Sequence, residues 1–154
     1  MDKGIYCLTF RSTPGDIRVG ALGVITFREG WLVYVGSAQG SGGLLRVRRH
    51  ILFSGSRKKP RWHIDYLLIS PTIQLVNATC LITTNHLECV LATLLGSLPE
   101  AAAVPRFGSS DCRCPSHLIF FPNNPTTGVL SCFHSLGPPA PSQESIPTTH
   151  SVRL

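Results

Sequence analysis

A small mixed α/β (α+β) domain is the fold class that this sequence predicts, on three observations. Short runs of β-branched and aromatic residues alternate with amphipathic stretches at helical spacing. The chain of 154 residues is long enough for one domain with a substantial core. Strands and helices interleave along it without an internal repeat, which is the pattern of a layered mixed fold.

The elements follow in order. Ile5 to Phe10 reads as a first strand. Ala21–Phe27 and Trp31–Val35, joined by Arg28-Glu29-Gly30, read as a hairpin with a short glycine-containing turn. Gly40-Ser41-Gly42-Gly43 opens a helix over Leu44–Phe53, with Leu44, Val47 and Ile51 on its packed face and Arg46, Arg49 and His50 on the outward one. His63–Leu68 fits either a short helix or a strand, and Thr72–Thr83 reads as a strand. Asn85–Leu95 is the clearest helix, with Asn85 as its N-cap. A Gly/Ser/Cys loop over Gly108–Pro115 leads into a last short strand, His117–Phe121.

Composition changes at Pro122. Six of the twelve prolines lie from Pro122 onward among Ser and Thr, so residues 1–121 read as the working domain and 122–154 as a disordered Pro/Ser/Thr-rich tail. No signal peptide or run of about 18 apolar residues is evident, so the expectation is a cytoplasmic protein with no membrane partner and reduced cysteines.

The net charge is +6, and seven of the fourteen basic residues (Arg46, Arg48, Arg49, Arg57, Lys58, Lys59 and Arg61) fall in one stretch without an acid. A block of this kind draws polyanions by Coulomb steering and counterion release, so nucleic acid is the expected partner, DNA ahead of RNA. A solvated basic face is the plainer reading.

Several side chains carry chemistry. Tyr6 and Tyr34 stand beside glycines in Gly4-Ile5-Tyr6 and Tyr34-Val35-Gly36, and the right strand register would put both hydroxyls on one sheet face. A phenol becomes a useful base only where positive charge favours phenolate. Arg46 and His50, four apart on a helix, provide a phosphate clamp and a proton carrier. Glu88 lies at the edge of an apolar stripe and suits Mg²⁺, although Asn85-x-x-Glu88 also fits a capping box. His63 and Asp65, in Arg61-Trp62-His63-Ile64-Asp65-Tyr66, pair on one side if that segment is a strand; Trp62 and Tyr66 equally suit packing or base stacking. Cys112, Cys114 and His117 offer two thiols and an imidazole, which Cys7, Cys80 or Cys89 would complete as a zinc site. Reduced structural cysteines are the preferred reading of that loop.

The ordered series Gly4-Ile5-Tyr6, Tyr34-Val35-Gly36, Arg46 with His50, then Glu88 resembles the GIY-YIG nuclease superfamily. It is closer to a prokaryotic branch of that superfamily, similar in Tyr34-Val35-Gly36-Ser37-Ala38, Arg61 to Leu67, Glu88-Cys89, and Phe107 to Cys112 through His117-Leu118. The resemblance covers residues 3–121 and implies a three-stranded antiparallel central sheet, here with an added hairpin, flanked by helices. It further implies a metal-dependent DNA endonuclease or nickase using one Mg²⁺ or Mn²⁺. In that reading Tyr6 activates water, Tyr34 orients the phosphate, Arg46 steadies the transition-state charge, His50 assists and Glu88 holds the metal. The branch is sometimes joined to an endonuclease III-type repair enzyme, which suggests a role and a partner in DNA repair. The rival expectations are a non-catalytic nucleic-acid-binding module on the same fold and a zinc-stabilised interaction domain.

Overall fold

Gly4–Ser12, the first strand (β1), forms the middle of the molecule because both of its edges are paired antiparallel. On one side lies β4 (Gly30–Ala38) and on the other β5 (Ile73–Ile82). The three-stranded antiparallel centre is therefore present, and it is extended to six strands. β7 (Leu118–Phe121) pairs with β4, β6 (Ala102–Ala103) pairs with β7, and β8 (Thr149–Arg153) pairs with β5. The computed structural model describes residues 2–108, 114–136 and 149–153.

Strand periodicity splits the core in two. Tyr6, Leu8 and Phe10 project to one face, where α1 (Leu45–Phe53) and α2 (His63–Leu68) cover them with Val47, Phe53, Ile64 and Leu67. Ile5, Cys7, Val33 and Val35 project to the other, under Leu91 and Leu95 of α3 (Glu88–Gly96) and Val129 and Phe133 of α4 (Thr126–Ser135). The sheet is thus a middle layer between two helical layers. No helix among the described residues is long and apolar enough to cross a membrane.

Three expectations change and one open alternative is settled. The hairpin joins β2 (Gly15–Arg18) to β3 (Val24–Phe27) in a separate two-stranded sheet, and β3 does not pair with β4. A strand has only two edges, and those of β4 are occupied by β1 and β7. His63–Leu68 is a helix. α3 begins at Glu88 rather than Asn85, and no side chain caps it; Asn85 instead donates its backbone N–H to Thr83 Oγ1 at 3.1 Å. The capping box is therefore not formed.

Residues 122–136 are also folded rather than a disordered tail. Asn124 Oδ1 accepts from the Thr126 N–H (3.0 Å) and hydroxyl (2.6 Å), starting α4. Val129, Cys132 and Phe133 recur at helical spacing and are buried against α3. Prolines flank this helix without entering it, so bulk composition concealed a ten-residue amphipathic segment. The rest of the expected tail, apart from β8, lies outside the described residues.

Phe133→Ala is expected to cost about 3–5 kcal/mol, the loss typical of a buried aromatic. Urea denaturation measures it; a loss within about 0.5 kcal/mol, as for a surface substitution, would contradict α4 as part of the core.

Candidate nucleic-acid interface and catalytic cluster

The two glycine–tyrosine motifs meet through strand register. Tyr6 lies opposite Gly36, and Tyr34 lies opposite Leu8 two residues away along the ladder. The phenols are therefore diagonal neighbours on one face, with ring centroids 6.5 Å apart. Gly36 is required by close approach: a Cβ there would overlap the Tyr6 ring. α1 then lays His50 over the same face, and its Nε2 lies 2.8 Å from the Tyr6 hydroxyl.

His50 is not on the outward face of α1. It is 1 % exposed, in the buried row Val47, His50, Phe53. Burial, then Arg49 and Arg46, pushes its pKa down to about 4 against a weaker pull from Asp65, so the imidazole is neutral at pH 7. Tyr6 is 1 % exposed as well. Burial and the neighbouring Tyr34 hold its pKa well above the usual phenol value, while Arg46 and Arg49 oppose the shift. Tyr34 is half-buried and raised to about 12 by burial, with Arg46 lowering it and Asp65 raising it.

A cationic layer lies beside this pair. The Arg49 guanidinium sits 4.0 Å from the Trp62 ring centroid and Arg46 sits 4.9 Å from it. Arg49 is held in place by a bidentate bond to Asp65, at 3.0 and 3.1 Å. Asp65 also accepts the backbone N–H groups of Arg61 (2.9 Å) and Trp62 (3.0 Å), which opens α2. Burial alone would raise the Asp65 pKa, but Arg49 and the two N–H donors outweigh it and hold the carboxyl below its ordinary value. Arg46 donates to the Ser37 carbonyl at 3.0 Å.

The expected pairing of His63 with Asp65 does not form. His63 Nδ1 accepts from the Gly108 N–H at 3.2 Å, and its ring meets Phe107 edge-on. The anchoring of Arg49 by Asp65 was not legible, because the contact joins residues sixteen apart on different helices.

Gly40, Ser41, Gly42, Gly43, Leu45, Arg46, Arg49 and Trp62 line an open cleft of about 350 Å³. Trp62 is 41 % exposed there. Arg48, Arg57, Lys58, Lys59 and Arg61 are all exposed on the same stretch of chain. A glycine-rich loop, two arginines and a stacking ring suit a phosphate-linked polymer.

Glu88 belongs to a different neighbourhood. Its helix covers the opposite face of the sheet, and the carboxylate that acts on Tyr34 and His50 is that of Asp65. Glu88 instead acts on His117, opposing the downward pull of burial on that imidazole. Its Oε2 is buried with no hydrogen-bond partner among the described residues. Cys89, Cys114 and His117 gather close by in sequence and space, with their donor atoms all within 4.8 Å of one another. Among the described residues, Glu88 is the one carboxylate beside these thiols and the imidazole, a softer set than the oxygen ligands that Mg²⁺ selects. Cys112 lies outside the described residues.

No curated protein and no solved structure matches this chain. A family model, the domain of unknown function DUF123, matches residues 5–137, from the first tyrosine motif through α4. With the match spanning both helical layers and five of the six strands of the sheet between them, the chain belongs to the DUF123 family.

Proposed function

We propose that this protein is a nucleic-acid phosphodiester hydrolase of GIY-YIG type. It grips the backbone in the cleft between the Gly40–Gly43 loop and the arginine–tryptophan stack, and it cuts beside the Tyr6–His50 pair. The observation that supports this most is the convergence of Tyr6, Tyr34, His50 and Arg46 on one sheet face, next to an open cationic cleft. Four residues of types suited to phosphoryl chemistry reach that face from β1, β4 and α1.

The chain's own residues supply definable steps. Neutral His50 shares a 2.8 Å hydrogen bond between its Nε2 and the Tyr6 hydroxyl; with Nε2 as the acceptor, the imidazole draws on the phenol proton and makes its oxygen a better acceptor for a proton from water. Arg46, with its guanidinium beside the cleft, neutralises charge that builds on the phosphate oxygens. Arg49, fixed by Asp65, adds a preorganised second charge, and Trp62 stacks on an unpaired base. Tyr34, the more exposed phenol, orients the phosphate or the attacking water. Glu88 would be the carboxylate to hold a divalent cation, which would supply Lewis-acid stabilisation of the phosphate, and no step is assigned to it here.

A binding-only module on the same fold is favoured by one observation. Tyr6 is deeply buried and its pKa is held high, which is unfavourable for a working base. Nicking of supercoiled plasmid in Mg²⁺ or Mn²⁺ separates the two readings. The expected result is nicking by the parent, reduced about 10²-fold or more in Tyr6→Phe and Arg46→Ala. Retention of the plasmid on the protein without nicking supports the binding module, and absence of both removes either role.

Binding has its own signature. Trp62→Ala is expected to weaken single-stranded DNA by about 1–3 kcal/mol. Lys58→Ala should weaken all sequences alike and flatten the dependence of log K on log salt by about 0.9. Fluorescence anisotropy over a salt series measures both, and an unchanged slope with unchanged affinity would place Lys58 outside the interface.

Stability should depend on acid in a defined window. The His50 pKa falls from an ordinary 6.5 when unfolded to about 4 when folded, so between those values the unfolded chain binds the extra proton. Folding stability is thus fully present above about pH 6.5 and declines by up to about 3 kcal/mol as pH falls toward 4. His117, lowered chiefly by burial, adds in the same direction. Urea midpoints at pH 4.5 and 7.5 should converge in His50→Gln relative to the parent; an identical pH slope in the two proteins would contradict the buried neutral imidazole.

A further inference from the structure

The sheet face opposite the tyrosines carries a second constellation that the cleft reading leaves unused. Cys89 Sγ, Cys114 Sγ and a His117 ring nitrogen all lie within 4.8 Å of one another, and Cys89 Sγ is 3.9 Å from His117 Nε2. We propose that these three side chains bind a zinc ion that clamps the start of α3 to the loop leading into β7.

Three of the four positions of tetrahedral zinc have donors at close to the required spacing, and the fourth is open to water or another donor. Zn–S bonds of about 2.3 Å and Zn–N bonds of about 2.0–2.1 Å set the donors roughly 3.5–3.8 Å apart. The observed spacing reaches that with movements of about an ångström. Two thiolates and an imidazole form a soft-to-borderline set that selects Zn²⁺ over Mg²⁺, Ca²⁺ or Mn²⁺.

The supporting frame is rigid on both sides. His117 is 8 % exposed, and its backbone is held twice: its N–H donates to the Phe107 carbonyl at 2.8 Å, and its carbonyl accepts from Val35 N–H at 2.8 Å. The Pro115 carbonyl accepts from Arg106 N–H at 2.9 Å, while Ser116 Oγ exchanges two 2.9 Å bonds with Leu118. Pro115 and His117 thus tie the backbone of this segment to its neighbours on both sides of Ser116. Cys89 is the second residue of the nine-residue α3, where helix N–H groups favour a thiolate.

A second observation points the same way. Glu88 Oε2, one residue before Cys89, is buried and lacks a hydrogen-bond partner among the described residues. An orphaned buried carboxylate oxygen costs free energy unless a cation lies near it. A bound zinc ion places that cation beside Glu88, which remains an outer neighbour of the three ligands.

The clamp also reaches the phenol face. The His117 carbonyl bonds to Val35, the residue after Tyr34, and the Cβ position of Gly108 lies 3.5 Å from His117 Cβ and 3.7 Å from the Tyr34 hydroxyl. Zinc binding therefore fixes the strand that carries Tyr34, whether or not the cleft cuts nucleic acid.

Zinc analysis of the full chain purified without chelator tests the proposal. One ion per chain is expected, with loss in Cys89→Ser, Cys114→Ser and His117→Ala and retention in Cys132→Ser. Titrating the metal-free parent with Co²⁺ should give thiolate-to-cobalt charge transfer and tetrahedral visible bands, a readout that needs no variant to fold. A parent with only background zinc and no cobalt charge-transfer band would overturn the site and leave the cysteines as packing residues. So would full metal retention by all three ligand variants. Plasmid nicking plays no part in either measurement, so failure of the zinc site and failure of the hydrolase reading remain separate results.

Discussion

The register between β1 and β4 is the constraint on which the rest of this molecule depends. Because side chains alternate along a strand, placing Gly36 opposite Tyr6 decides which face receives every residue of both strands. It sends Tyr6, Leu8 and Tyr34 toward α1 and α2, and Ile5, Cys7, Val33 and Val35 toward α3 and α4. A slip by one residue would bring a side chain to where the Tyr6 ring now lies and expose half of each core layer. Glycine at position 36 thus does structural work before any chemistry is considered: it opens the space in which the phenol lies flat and meets His50.

That constraint explains which parts of the molecule are readable from the chain alone. The strands β1, β4 and β5 and the helices α1 and α3 carry periodic apolar patterns within a single element, and their existence follows from local physics. The pairing partners do not. β3 was expected beside β4 because the two are neighbours in sequence, yet β7, more than eighty residues from β4, occupies that edge. α4 escaped for another reason: its amphipathic row is only ten residues long and is set between prolines, so averaging over the segment diluted the signal. Physical packing recovers it, since Val129 and Phe133 fill a surface that α3 alone leaves open.

The site divides along the same line. Tyr6, Tyr34, Arg46 and His50 were identifiable as residue types at suggestive spacings, and the sheet register unites them. The role of Asp65 was hidden, because a carboxylate in Arg61-Trp62-His63-Ile64-Asp65 has an obvious local partner in His63 and an invisible distant one in Arg49. The distant partner prevails for an energetic reason. A fully buried carboxylate needs several donors, and Arg49 supplies two while the opening turn of α2 supplies two more. His63, already bonded to Gly108, would have supplied one.

The two helical layers then impose opposite chemistry on the two sheet faces. On the α1 side the dominant groups are guanidinium ions stacked on an exposed indole above a neutral imidazole and two protonated phenols, an environment built for an anion arriving from solvent. On the α3 side the donors are thiols, an imidazole and a carboxylate oxygen with no hydrogen-bond partner among the described residues. The sheet lies between the two sets of groups. The link is mechanical as well: the backbone bond from Val35 to His117 ties the strand bearing Tyr34 to the loop bearing Cys114 and His117. Any ligand that orders the thiol–imidazole cluster therefore also stiffens the phenol-bearing strand, so occupancy on one face is felt as preorganisation on the other.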